Sequence, residues 1–375
     1  MNNKIEPPKK IILAGRCDHD NYGDSLMFAF YAERLQGSHE VFILESNQTF
    51  IDRLLQDGLS VKNISYADLK KQPDGFIAVF VGGGYFGEPE IGKKKWHKAF
   101  SHGYFPETIK LLKETNVPFI IHGVEAGPIS DPKTKNKIKY YFESAVHATV
   151  RNKSSLLFCE SIGLNNVNYL PDVVLGGAKN YYDTKFARNS IDDKVFDVSI
   201  HITGRLFSKN PLARLNLNSI SNALIENTPK SVALFFDQTT YENSFQHQIE
   251  RLASKLSLNG IEVRIFKYEG HEPLLKLLKN SKITITTKLH AGMSALSFEN
   301  KVLSISSAPK IKRFYNENSI SQFHCSYFFS TPGKKARQLK AIINNNTSWI
   351  IPKNTREQSM KNIEIIQSLA CATKI

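Results

Sequence analysis

The 375-residue chain predicts an α/β fold built from two parallel sheets in succession. Two observations support this. Short apolar, β-type runs alternate with amphipathic helical stretches from Lys10 to Asn344, the pattern of parallel strands joined by crossover helices. The alternation breaks once, at 176–193, where composition is mixed and no period holds, and the length suits two domains rather than one.

In the first half the strand candidates are Lys10–Ala14, Val41–Leu44, Phe76–Val81, Pro118–His122 and Ala148–Arg151. Helical patterns fall near Ser25–Gln36, Thr49–Asp57, Pro106–Glu114, Lys133–Ser144 and Ser154–Ser161. In the second half the strands are Phe196–Ile202, Ser231–Phe236, Ile261–Phe266, Lys282–Thr286 and Val302–Ser306. Helices are expected near Asn216–Glu226, Glu242–Leu258, Pro273–Leu278, Ala291–Phe298, Lys334–Asn344 and Thr355–Ala370. The expected domains are 1–180 and 190–350, with residues 351–375 a terminal helix that returns to the first domain.

Composition narrows the function classes. Hydrophobic residues make up 41% of the chain, enough for a core in each half. No run approaches the ~18 apolar residues of a spanning helix. The N-terminus leads straight into a short strand without the apolar stretch of a secretory signal, so a soluble cytoplasmic protein is expected. The cysteines Cys17, Cys159, Cys325 and Cys371 are widely spaced, with no CxxC or HExxH, and nothing in the pattern predicts a metal site. Of the net charge of +14, residues 1–185 carry +2 and residues 186–375 carry +12. The second half is therefore where an anionic ligand or an anionic membrane surface is attracted. No nucleic-acid motif accompanies the charge, and nucleic acid is not an expected partner.

Chemistry is expected at the carboxyl ends of the strands, where open α/β sheets hold their ligands. The most informative stretch is Thr286–Gly292, which puts Lys288 and His290 where a strand ends and a helix begins. A cation beside an imidazole suits an anionic substrate that must gain or lose a proton. In the first half, the loop Gly15–Ser25 contains Asn21, Gly23 and Asp24, with Asp24 or Ser25 the expected cap of the next helix. A second loop, Gly82–Phe86, offers Gly83 and Gly84 for close backbone approach. His122 and Glu125 stand at a third strand end, and Arg151 at a fourth, with Asn152 or Ser154 capping the helix beyond. Arg151 can grip a carboxylate or phosphate through two parallel hydrogen bonds, or anchor a domain interface. Arg205 and Lys310 are further anion-contact candidates in the second half.

Taken in order, these pieces resemble the polysaccharide pyruvyl transferase family: Asn-Tyr-Gly-Asp at 21–24, Gly-Gly-Gly at 82–84, His-Gly-Val-Glu-Ala-Gly-Pro at 122–128, Val-Arg-Asn-Lys-Ser-Ser at 150–155, Leu-Pro-Asp at 170–172, Thr-Lys-Leu-His-Ala-Gly at 287–292 and Lys310 beyond. The chain departs from the family at two points. Lys288 stands where arginine is usual, and Asn152 where aspartate is usual. The resemblance implies two Rossmann-like domains in a GT-B-like arrangement with an interdomain cleft. It also implies transfer of pyruvate from phosphoenolpyruvate to two hydroxyls of a sugar, forming a cyclic ketal in surface-polysaccharide biosynthesis. Phosphoenolpyruvate would be a co-substrate, with no further cofactor and no metal.

On that reading His290 transfers the proton, Lys288 binds the donor, and Arg151 and Arg205 are secondary anion contacts. Asn21, Gly23, Asp24, Gly83, Gly84 and Glu125 are expected on the acceptor side. The acceptor would be a glycan or a lipid-linked oligosaccharide, which suggests peripheral contact at the inner face of an anionic membrane. Two alternatives stay open: a GT-B glycosyltransferase using a nucleotide sugar, and a non-catalytic member of a polysaccharide assembly.

Overall fold

The computed structural model describes residues 10–15, 21–89, 93–186, 195–239, 245–345 and 349–372. Two compact units divide the chain. Unit 1 gathers Met27–Val173, the segment before it up to His19, and the chain from Asn354 onward. Unit 2 gathers Val174–Lys353 with Asp20–Leu26.

Unit 1 contains strands β1 (Lys10–Ala14), β2 (Glu40–Leu44), β3 (Val61–Ile64), β4 (Phe76–Phe86), β5 (Phe119–Ala126), β6 (His147–Val150) and β7 (Val167–Tyr169). All pair in parallel, in the order β3-β2-β1-β4-β5-β6-β7. Strands β1 and β4 are buried almost throughout because helices cover both faces, which explains their continuous apolar runs. Side-chain oxygens start several crossover helices: Asn47 accepts from Phe50 N at 2.8 Å, Asp131 from Thr134 N at 2.8 Å, and Asn152 from Ser155 N at 2.8 Å. Each such cap is worth about 1 kcal/mol. Asn152 thus performs the capping that an aspartate would. The helix Lys353–Ala372 closes the unit: Ser359 Oγ donates to Asp172 O at 2.8 Å, Asn362 Nδ2 to Pro171 O at 2.8 Å and Gln367 Nε2 to Arg34 O at 3.0 Å.

Unit 2 repeats the plan with β8 (Phe196–His201), β9 (Ser231–Phe235), β10 (Glu262–Phe266), β11 (Ser281–Thr286), β12 (Lys301–Ile305) and β13 (His324–Cys325). These are again parallel, in the order β10-β9-β8-β11-β12-β13. In each sheet the strand order reverses once, between β1 and β4 and between β8 and β11. Such a switch point opens a crevice at the carboxyl ends of the two strands. Among the described residues no helix is long and apolar enough to cross a membrane.

The structure differs from the sequence reading in several places. Strands β3 and β7 and the helices Tyr66–Lys71 and Lys93–His102 were not anticipated; β3 and β7 have only four and three residues, too few to show a period. The mixed stretch taken as a linker is helical from Val174 to Phe186, and its remainder at 187–193 lies outside the described residues. Gly82–Phe86 is the end of β4 rather than a loop. The segment after β12 is a helix, Pro309–Glu317.

Candidate functional site

At the switch point of unit 2, β8 ends in His201 and β11 ends in Thr286. Lys288 is the N-cap residue of the helix Leu289–Ser297, its backbone extended at φ −115° and ψ 145°. Its N–H donates to Thr286 Oγ1 at 3.1 Å, and Thr287 Oγ1 donates to Thr203 Oγ1 at 3.3 Å. The second bond stitches the loop after β11 to the segment after β8. His290 follows one residue into the helix and is partly exposed.

One residue that the sequence reading passed over organises this corner. Asp237 lies just beyond β9 and is buried. Its Oδ1 stands 3.0 Å from His201 Nε2, and its Oδ2 stands 3.0 Å from Lys288 Nζ. Burial alone would raise its carboxyl, but the flanking His201 and Lys288 outweigh burial and hold it well below the usual carboxylate range. His201 is fully buried and stacks on Phe235 at 5.1 Å between ring centroids. The Lys288 side chain remains 44% exposed. Its ammonium has three donors, so the contact with Asp237 leaves capacity for an anion. The available signal for Asp237 was its position directly after the apolar run 231–236, a predicted strand end.

The Asn-Tyr-Gly-Asp segment also belongs here. It was expected in the N-terminal domain, on the acceptor side, yet it clusters with unit 2. Tyr22 N donates to Asp237 O at 2.9 Å, Tyr22 Oη donates to Ser294 Oγ at 2.8 Å, and Asn21 forms an antiparallel bridge with Gln238. Gly23 is packed so closely that a Cβ there would fall 2.1 Å from His290 Nδ1. Only glycine lets the backbone lie against the imidazole. Neither Asp24 nor Ser25 is the cap: Asn21 Oδ1 accepts from Asp24 N at 3.1 Å, and Asp24 sits in the first turn of the helix Tyr22–Leu35. Residues 16–20 of this loop lie outside the described residues.

Arg205 lies in the short helix Gly204–Phe207 that follows β8, with Nη1 donating to Ser306 Oγ at 2.6 Å. Ser306 also accepts from Ala308 N at 3.2 Å, just ahead of the helix Pro309–Glu317. Lys310 lies exposed in the first turn of that helix.

The remaining candidates gather in unit 1, in a different chemical setting. Arg151 donates from Nη2 to Glu125 Oε2 at 2.8 Å and from Nη1 to Asp172 Oδ2 at 3.0 Å. All three side chains are only 3% exposed. Burial opposes the guanidinium charge, and the two carboxylates more than compensate, so Arg151 is held charged. Arg151, which the sequence offers as either an anion grip or an anchor, here binds two carboxylates of its own unit, Glu125 among them, in a buried triad of one cation and two anions. Gly84 lies beside the triad, where a Cβ would be 3.5 Å from Glu125 Oε2. Gly83 has φ +110°, and the Tyr85 ring folds over it, 2.5 Å from where a Cβ would be. His122 is fully buried; burial first, then neighbouring His147, push its pKa down to about 3, which keeps the ring neutral.

The fold, two Rossmann-like parallel sheets in succession, is the one shared by GT-B-like glycosyltransferases and epimerases. The UDP-GlcNAc 2-epimerase of Methanocaldococcus jannaschii is similar at a TM-score of 0.63 and 11% identity, over 97% of this chain and 100% of that one. A complex of S. aureus MnaA with UDP is similar at 0.57 and 11% identity, over 96% of each chain. Anabaena HepE in complex with UDP is similar at 0.54 and 12% identity, over 96% of this chain and 100% of that one. No curated protein matches. The polysaccharide pyruvyl transferase family model matches residues 21–309, and the chain belongs to that family.

Proposed function

We propose that the protein transfers pyruvate from phosphoenolpyruvate to two hydroxyls of a sugar, forming a cyclic ketal on a surface polysaccharide or its precursor. The observation that carries this reading is the packing of Gly23 against His290, two residues along the chain from Lys288, which is paired with Asp237. It supplies an imidazole of fixed orientation beside an anchored, half-exposed cation.

In this mechanism His290 delivers a proton to the methylene carbon of the donor. The adjacent carbon becomes electrophilic and a sugar hydroxyl adds to it, returning its proton to the imidazole. A second hydroxyl then displaces phosphate from the same carbon, and its proton leaves with the phosphate. Lys288 pairs with the donor carboxylate or phosphate, and Arg205 and Lys310 strengthen the positive field. Asp237 holds Lys288 in place by ion pairing and does not touch the reacting atoms. A positioned acid–base group of this kind contributes ~10²–10⁴-fold, with electrostatic stabilisation of the leaving phosphate beside it.

The test is incubation with phosphoenolpyruvate and a panel of oligosaccharide acceptors. Acceptor-dependent phosphate release, together with a mass gain equal to one pyruvate ketal, is expected. Turnover of UDP-sugars, with no phosphate released from phosphoenolpyruvate, would instead assign a glycosyltransferase.

A further inference from the structure

Unit 2 carries a second feature that the transfer chemistry does not use. The turn Ser326–Ser330, directly after β13, presents two adjacent phenylalanines to solvent, Phe328 at 60% and Phe329 at 91% exposure. Exposed aromatics on a loose loop need no explanation, but this turn is held from several directions. Phe328 N donates to Ser307 Oγ at 3.1 Å, Phe329 N to Ser326 Oγ at 3.1 Å, Ser326 N to Ser330 Oγ at 3.1 Å and Ser330 N to Ser326 O at 3.3 Å. Beneath it Lys335 is completely buried. Its ammonium donates to Tyr327 O at 3.0 Å, Ser330 O at 2.7 Å and Asn216 Oδ1 at 2.8 Å. A buried ammonium satisfied by neutral oxygens is a costly device. Here it clamps the backbone on both sides of the phenylalanine pair.

The surroundings are basic. Lys312 acts electrostatically on His324, Lys334 on Cys325 and Arg205 on Tyr327, so cations flank the strand and turn that lead to the pair. Lys312 and Lys334 are exposed, and the turn itself has no acidic residue. Rigid, exposed aromatic rings on a turn whose leading strand is flanked by lysines match the chemistry of an anionic bilayer surface. The rings enter the headgroup region, and each nearby cation is attracted by the negative surface potential. A soluble protein partner fits less well, because charge of one sign around a small apolar tip gives little shape specificity.

We propose that Phe328 and Phe329, with Lys312 and Lys334, form a prong that seats unit 2 on an anionic lipid surface. Because bilayer contact requires no turnover, its test is independent of the proposed transfer reaction. The whole protein is sedimented with vesicles of pure phosphatidylcholine and with vesicles containing phosphatidylglycerol, at low and high salt. Salt-sensitive binding to the phosphatidylglycerol vesicles alone is expected. Phe328→Ser/Phe329→Ser should weaken it by roughly tenfold or more, and Lys312→Glu/Lys334→Glu should remove the preference for anionic lipid. Melting temperatures should not change, since these four side chains face solvent. The proposal is overturned if the wild-type protein ignores anionic vesicles, or if the phenylalanine variant binds them equally well. It is likewise overturned if that variant keeps vesicle binding while losing activity on a water-soluble acceptor, which would assign the pair to the glycan.

Discussion

Two charged clusters sit at the carboxyl ends of two parallel sheets, and they are built on opposite principles. In unit 1, Arg151 lies between Glu125 and Asp172, with all three side chains at 3% exposure and both carboxylates resting on the one guanidinium. In unit 2, Asp237 lies between His201 and Lys288, but Lys288 is 44% exposed and His290, two residues further on, is in partial contact with solvent. The first cluster is closed, whereas the second is anchored at its base and open at its edge. Both occupy strand ends, so strand-end position alone does not distinguish a ligand site from a structural ion triad. What distinguishes them is whether a charge keeps unused hydrogen-bonding capacity toward solvent.

The sharpest way to break the contrast is to remove the imidazole. His290→Ala should lower kcat by ~10²–10⁴-fold while leaving the melting temperature unchanged, as steady-state phosphate release and calorimetry can show. Near-normal turnover in a folded variant would remove His290 from the mechanism. The counterpart in unit 1 should behave in the reverse way. Arg151→Met leaves two buried carboxylates without a cation, a loss of about 3–5 kcal/mol of stability, measured by denaturant unfolding. A variant of unchanged stability that had lost donor binding would return Arg151 to the list of anion contacts.

Gly23→Ala probes the same corner without altering any charge. Alanine is favoured over glycine in a helix by about 1 kcal/mol, so the first turn of Tyr22–Leu35 should tolerate it. The new methyl, however, would lie 2.1 Å from His290 Nδ1 and must push the ring away. Misplacing a reacting group by an ångström costs on the order of 10²-fold in rate, and that loss, in a protein of near-native stability, is the expected result. Asp237→Asn tests the anchor through pH. The Asp237 carboxyl is depressed in the folded state, so its contribution to stability is present above the ordinary carboxylate range and is lost as pH falls below it. The variant should be less stable at neutral pH, where His201 and Lys288 lose their partner. Its stability should also fall less steeply under acid than the wild type's, as pH-dependent melting will report.

Much of this arrangement was legible in the sequence, for physical reasons. Most of the ten expected strands declared themselves because buried parallel strands are continuous apolar runs, and the largely exposed β10 did so by its β-branched and aromatic residues; Lys288 and His290 stood out because a strand and a helix meet around them. Strand β7 escaped because three residues, Val167–Tyr169, carry no period. The extension of β4 through Gly82–Phe86 was hidden because glycine reads as a breaker, whereas here Gly83 accommodates the Tyr85 ring at φ +110°. The fates of Arg151 and of Asn21–Gly23 depend on contacts with residues far away in sequence. Nothing near Arg151 in the chain reveals that Asp172 and Glu125 converge on it, and nothing near Tyr22 reveals Ser294, 272 residues away.

The smallest effect is expected from a charge-conserving change at Lys288. Lys288→Arg keeps the positive charge and exchanges a compact ammonium for a planar fork of five donors. Lys288 Nζ sits 3.0 Å from Asp237 Oδ2 and the side chain is half exposed, so the longer guanidinium has both a carboxylate to pair with and room to extend. A guanidinium binds a carboxylate or phosphate through two parallel hydrogen bonds where an ammonium acts as a point charge. The KM for phosphoenolpyruvate should therefore stay level or fall by no more than about tenfold, the equivalent of one strengthened charged hydrogen bond, with kcat retained. If the arginine variant folds but loses turnover, the ammonium itself is required, and Lys288 must contribute more than a charge for the donor.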